Sequence, residues 1–93
     1  MPLALSEASI GAENTFSDWV RLIKGKFNFS LSGTWEATVW LQRSFDNGVT
    51  PMDVESSTVN LEKYGEEPEG IYYRFGVKPG DFTSGSVVGR ISQ

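Results

Sequence analysis

The sequence predicts an all-β chain folded as an antiparallel β-sandwich, Ig-like or Greek-key, of about seven short strands. Three observations predict it. Lys26 to Ser32 and Trp35 to Arg43 each alternate apolar and polar residues with the period of a half-buried strand. Asp46-Asn47-Gly48 follows directly and supplies the positive-φ residues that a tight hairpin demands. Turn signals then recur roughly every 8–12 residues, the spacing of small sandwiches, with 10 Gly and 4 Pro scattered singly.

The elements follow in chain order. Residues 1–14 are small and weakly periodic, and read as an extended N-terminal arm or edge segment, leaving 15–93 as one sandwich domain. In Thr15 to Ile23 the residues Phe16, Trp19, Val20 and Ile23 fall at helical spacing. Aromatic and β-branched residues dominate, however, and Gly25 follows quickly, so a strand is expected. Lys26 to Ser32 turns Phe27, Phe29 and Leu31 inward, and Gly33-Thr34 reads as a short hairpin into a Trp35–Arg43 strand. There Trp35, Ala37, Val39 and Leu41 share one face, and Glu36, Thr38, Trp40 and Gln42 share the other.

Pro51 cannot donate to a ladder, which makes Val49 to Val54 an edge or bulged strand. Ser57 to Leu61 reads as a further strand, and the polar Glu62 to Gly70 as a surface loop. Ile71 to Val77 is strongly strand-like. Lys78-Pro79-Gly80-Asp81 has Pro and Gly where a type II turn places them, and Ser84 to Ile91 closes the chain.

Composition narrows function. The 93 residues make one domain with a modest core rich in aromatics, here 3 Trp, 6 Phe and 3 Tyr. There is neither Cys nor His, which removes disulfides and both the commonest general base and the commonest metal ligand. The net charge of −4 repels phosphate backbones, so no nucleic-acid partner is expected, and it suits docking onto a basic protein surface. No apolar run is long enough to span a membrane, and the start lacks the basic region of a signal peptide. No cofactor or metal is expected.

Individual motifs add little chemistry. Ser44-Phe45-Asp46-Asn47-Gly48-Val49-Thr50 matches the Asp-box pattern of sialidases and other β-propellers, although Pro51 replaces the usual aromatic. In that pattern Asp accepts turn N–H groups, Gly takes φ > 0 and the hydroxyls close the ends, so Ser44, Asp46, Asn47, Gly48 and Thr50 read as a structural turn. Glu66, Glu67 and Glu69 lack the spacing of a calcium loop and read as a solvated cluster. Tyr72, two residues after Gly70, stands where Ig-like sandwiches carry a tyrosine corner. A carboxylate pair drawn from Asp46, Asp53 and Glu55 would be needed for glycoside hydrolysis, yet so small a domain offers little cleft, and no catalytic residue is assigned.

Two segments, residues 33–48 and 73–91, together resemble small all-β virion proteins of tailed bacteriophages and phage-like particles. The resemblance covers about two thirds of the chain through strand and turn patterns. It implies a non-enzymatic virion structural protein: a capsid decoration or cement protein, a head-spike base that binds the major capsid protein lattice, or a tail accessory protein. Such a protein would be assembled in the host cytoplasm as a homo-oligomer, trimer or pentamer. Trp35 and Trp40 lie an odd number of positions apart, so one faces the core and the other is a contact candidate. Leu3, Leu5 and Ile10 of the arm are further candidates for contact with a neighbouring subunit. The alternative is a carbohydrate- or receptor-binding β-sandwich module of a tail or fibre, which requires several exposed aromatics on one surface.

Overall fold

A computed structural model describes residues 5–93, and Leu3 therefore lies outside the described residues. Among the described residues there are nine strands and no helix: β1 Leu5–Ile10, β2 Thr15–Phe16, β3 Val20–Arg21, β4 Gly25–Ala37, β5 Val39–Ser44, β6 Met52–Ser57, β7 Leu61–Glu67, β8 Tyr72–Val77 and β9 Phe82–Ser92. They form two antiparallel sheets. The first has the order β1-β9-β4-β7, and the second β2-β8-β5-β6 with β3 also pairing β8. The all-β sandwich expected from the alternation is what the chain adopts.

The core lies between the sheets. Phe27, Phe29 and Leu31 of β4 and Val87 and Ile91 of β9 face Val39 and Leu41 of β5 and Tyr73, Phe75 and Val77 of β8. Tilted ring pairs Phe27–Tyr73 and Phe29–Phe75, with centroids 5.0 and 6.0 Å apart, cross the interlayer space. Such offset geometry suits the ring quadrupoles, and few frozen torsions bury much area.

The longest element corrects an expectation. Gly33-Thr34 makes no hairpin: β4 runs straight through for 13 residues, paired with β9 from Asn28 to Ala37. Gly33 has φ of 106° and lies so close to β9 that a Cβ would stand 2.6 Å from the Ser86 carbonyl oxygen. The glycine serves close backbone approach, which a sequence pattern does not distinguish from a turn. The chain changes sheets five residues later, at Thr38, whose N–H donates to the Asp81 carbonyl at 2.8 Å.

The middle of the chain departs from expectation in a second way. Residues 58–60 form a turn where a strand was expected, and the polar stretch beginning at Glu62 forms most of β7. This strand pairs only with β4, so its outer side carries Glu62, Tyr64 and Glu66 to solvent. Charge on an edge strand blocks further pairing, and the same charge makes the segment look like a loop. Lys63 reaches across to Glu55 of β6, an ion pair between the edges of the two sheets.

Elsewhere the expected elements stand with sharper boundaries. Thr15 to Ile23 is extended but broken into β2 and β3 around Ser17, whose N–H and hydroxyl engage the Phe75 carbonyl and amide. β6 is an edge strand with a register shift opposite Leu41/Gln42, beginning immediately after Pro51. The turn at residues 78–81 is closed by the Asp81 N–H on the Lys78 carbonyl, with Gly80 at φ 85°. Within the expected arm, Leu5–Ile10 is already the edge strand of the chain's own first sheet, paired with Ser92 to Val87.

Candidate contact surface

Local alternation decides which side chains the second sheet turns outward. In β8 the odd positions fill the core, so Arg74 and Gly76 face out; in β5 the same rule turns out Trp40 and Gln42. Phe16 of β2 pairs with Gly76 and lies over it: a Cβ on Gly76 would overlap the Phe16 ring and the Thr15 carbonyl. A missing side chain thus makes the seat for an aromatic one.

The outward groups form one continuous layer. The Arg74 guanidinium lies 4.0 Å from the Phe16 ring centroid and 4.6 Å from that of Trp19. Its Nε donates to Gln42 Oε1 at 2.9 Å, and Gln42 Nε2 donates to Asp53 Oδ1 at 3.0 Å. Lys78 Nζ donates to Asp53 Oδ2 at 2.6 Å while standing 4.1 Å over the Trp40 ring, and Trp40 Nε1 donates to Asp81 Oδ2 at 2.8 Å. Burial draws the Arg74 pKa below its ordinary value. The hydrogen bonds from Lys78 and then Gln42 hold Asp53 below the usual carboxylate range. Phe16, Trp19, Trp40 and Arg74 are all half-buried: held in place, yet reachable. Cation–π stacking and hydrogen bonds fix the layer before any partner arrives.

The β5–β6 turn buttresses this layer. Ser44 Oγ accepts from Gly48 N–H at 2.9 Å and donates to Asp46 Oδ1 at 2.6 Å, and the same carboxylate oxygen accepts from Thr50 N–H at 2.8 Å. Bonding to Ser44 first, then to Thr50, draws the Asp46 pKa down to about 2. Asn47 and Gly48 take positive φ, at 56° and 92°. A Cβ on Gly48 would run into the Trp19 indole, so the turn packs directly beneath that ring. The device read from sequence as a hairpin closure also positions an aromatic from a distant part of the chain.

At the end of the sandwich near this turn, one carboxylate of the expected solvated cluster is fully buried. Glu67 accepts from the Glu69 and Gly70 N–H groups, each at 2.8 Å, from Tyr73 Oη at 2.8 Å and from Arg43 Nη2 at 3.3 Å. Burial pushes its pKa up, but these donors together outweigh burial and the net direction is down. Burial and the adjacent carboxylate push Tyr73 up to about 12. The expectation for Glu67 fails because edge strand β7 turns every second residue inward, and Glu67 falls on that phase opposite Gly25. The tyrosine with the structural hydroxyl bond is accordingly Tyr73, on the inward phase, whereas Tyr72 lies on the outward one.

The contact candidates separate clearly. Trp40 is outward on the second sheet. Trp35 packs against the core from β4, its Nε1 donating to Asn60 Oδ1 at 2.6 Å. Leu5 is exposed on edge strand β1. Ile10 is not available for contact: it is 1% exposed, because the register of β1 on β9 sets it opposite Val87, on the core side. Trp19, which with Trp35 and Trp40 invites a sugar-stacking reading from sequence, joins Trp40 in the outer layer, whereas Phe16 and Arg74 carry no such mark in the sequence. The glycines beneath two of the rings, Gly76 and Gly48, carry the signal, but it is legible only once strand pairing is known.

The acidic candidates do not converge. Asp46 is consumed by its turn, Asp53 pairs with Lys78 and Glu55 with Lys63. Among the described residues, no three Asp or Glu side chains gather to hold a metal ion. No family model matches the chain, and no curated protein and no solved structure matches it either.

Proposed function

We propose that this chain is a non-enzymatic structural protein of a virion, a capsid decoration or cement protein or a head-spike base, that docks on the major capsid protein lattice as a homo-oligomer. The virion assignment rests on the sequence resemblance of residues 33–48 and 73–91. The observation that carries a docking role is the outer layer of the second sheet. Three half-buried aromatics and an arginine, held rigid by stacking and hydrogen bonds, match the composition of interface hot spots.

The test is attachment. Purified chain is mixed with undecorated heads, and bound copies are counted by pelleting and located by imaging. Saturable binding at symmetry-related positions is the expected result, with Trp40→Ala and Arg74→Ala each weakening it at least tenfold. Absence of the chain from heads and tails of purified particles overturns the proposal. The same half-buried rings favour a second reading, a carbohydrate- or receptor-binding module of a tail or fibre. That reading predicts quenching of Trp19 and Trp40 fluorescence by an oligosaccharide.

A further inference from the structure

One stretch of sheet edge is left open. β4 pairs with β9 along one side as far as Ala37, but its pairing with β7 on the other side stops at Leu31↔Leu61. Residues 32–37 therefore have a second edge with no strand against it among the described residues. In a strand, the N–H and C=O of alternate residues point to the same side. The Gly33 carbonyl points to the open side, because Asn60 Nδ2 donates to it at 3.0 Å from the turn after β6. Two positions on, the Trp35 N–H and C=O share that direction, with no strand to receive them.

The Asn60 side chain already behaves as the first rung of a missing strand. Its amide nitrogen serves the Gly33 carbonyl, while its oxygen accepts from Trp35 Nε1. A carboxamide is chemically a peptide group, so what caps this edge is a stand-in for backbone. Two depressions flank it. The larger, of about 390 Å³, is lined by Trp35, Glu36, Thr38, Thr58, Asp81 and Thr83 among others. The smaller, of about 310 Å³, is lined by Gly33, Thr34, Val59 and Asn60 and shares Trp35 and Thr58 with the larger. Paired hollows along an open edge are what the alternate side chains of an added strand require. The larger hollow carries two carboxylates, Glu36 and Asp81; neither forms an ion pair among the described residues, and Asp81 has one oxygen engaged by Trp40 Nε1.

We infer that the open edge of β4 at Trp35 receives a short extended segment of a partner protein, added as a strand, with a lysine or arginine seated between Glu36 and Asp81. The net charge of −4 favours the same partner sign. The inference concerns the edge of β4, which meets the aromatic layer only at Asp81, the acceptor of the Trp40 indole N–H, and it stands whether or not the partner is a capsid protein.

Amide hydrogen exchange and nitrogen–proton correlation spectra of the free chain test it directly. The Trp35 amide exchanges fast while Thr34 and Glu36, bonded towards β9, are protected. A protected Trp35 amide in the free chain overturns the inference outright. The free chain is then titrated with an acetylated, amidated hexapeptide, Val-Lys-Val-Lys-Val-Thr, and with its counterpart bearing Glu for Lys. The expected result is a shifted and newly protected Trp35 amide, with the lysine peptide binding at least tenfold more tightly and Glu36→Gln removing most of that preference. Glu36 is exposed, so its variant leaves the fold intact. No shift at millimolar peptide, shifts confined to Phe16, Trp19 and Trp40, or equal binding of the two peptides each overturns it. Failure here with intact head binding refutes only the edge, and failure of head binding with peptide on Trp35 refutes only the virion assignment.

Discussion

The two outer faces of this sandwich have the same backbone geometry and opposite chemistry. On the first sheet, Asn28, Ser30 and Ser32 of β4 and Ser84, Ser86 and Arg90 of β9 stand outward and mostly exposed, with Leu5, Tyr64 and Val88 as scattered larger groups among them. Their interactions are few and loose: Ser9 with Ser86 at 2.9 Å, Arg90 with Glu7 at 3.9 Å with both side chains about half exposed, and Lys26 at 5.4 Å from the centroid of the exposed Tyr64 ring. On the second sheet, the outward positions hold Phe16, Trp40, Gln42 and Arg74, interlocked with Trp19, Asp53 and Lys78. Small hydroxyl side chains are served by water and lose little entropy, so the first face, with its few larger groups scattered singly, forms no packed outer layer. Large rings stacked on cations keep apolar area at the surface, and that arrangement is stable in isolation and more stable under a partner.

Four predictions bear on this contrast. The sharpest is Gly76→Val, which places a branched side chain where Phe16 lies. It should destabilise the chain by about 3 kcal/mol in urea unfolding, because the second face has no slack under its rings. Arg74→Ala removes two ring contacts and the bond to Gln42, and should cost about 2 kcal/mol by the same measurement. A loss near zero would mean that the layer is decoration and not a packed unit.

The third prediction concerns acid. The folded pKa of Asp46 is drawn from 3.8 to about 2, so the turn's contribution is complete above pH 4 and is lost as pH falls towards 2. Gly48 and Thr50 amide resonances and the Trp19 indole signal should shift together across that window, since the turn supports the ring. Asp46→Asn should flatten the response. The smallest expected effect lies on the other face: Ser30→Ala or Ser32→Ala should alter stability by less than about 0.5 kcal/mol and leave particle attachment unchanged. A large effect there would erase the distinction between the faces.

Local residue order made much of the fold legible. The alternation of Phe27, Phe29 and Leu31 and of Ala37, Val39 and Leu41 places all six in the core, and the period of two holds even though the chain changes sheets between Ala37 and Val39. The turns at Asp46 to Gly48 and at Lys78 to Asp81 need residues that tolerate positive φ, and such residues announce themselves. By contrast, Gly33 was unreadable, because a glycine for close approach and a glycine for a turn are the same letter. β7 was hidden by the charges that guard its edge, and Glu67 by neighbours of its own kind.

What the sequence by itself determined is the β class, the positions of the two tight turns and the phase of each long strand, since these depend on φ preferences and on a period of two. Only the tertiary structure decided which residues meet. It brought Phe16 and Trp19 onto Arg74, more than 50 positions away along the chain, set Gly48 under Trp19, buried Ile10 and Glu67, and left one edge of β4 open beside Trp35. Those outcomes depend on register and sheet order, which are fixed by packing across the whole core and leave no mark on any single segment.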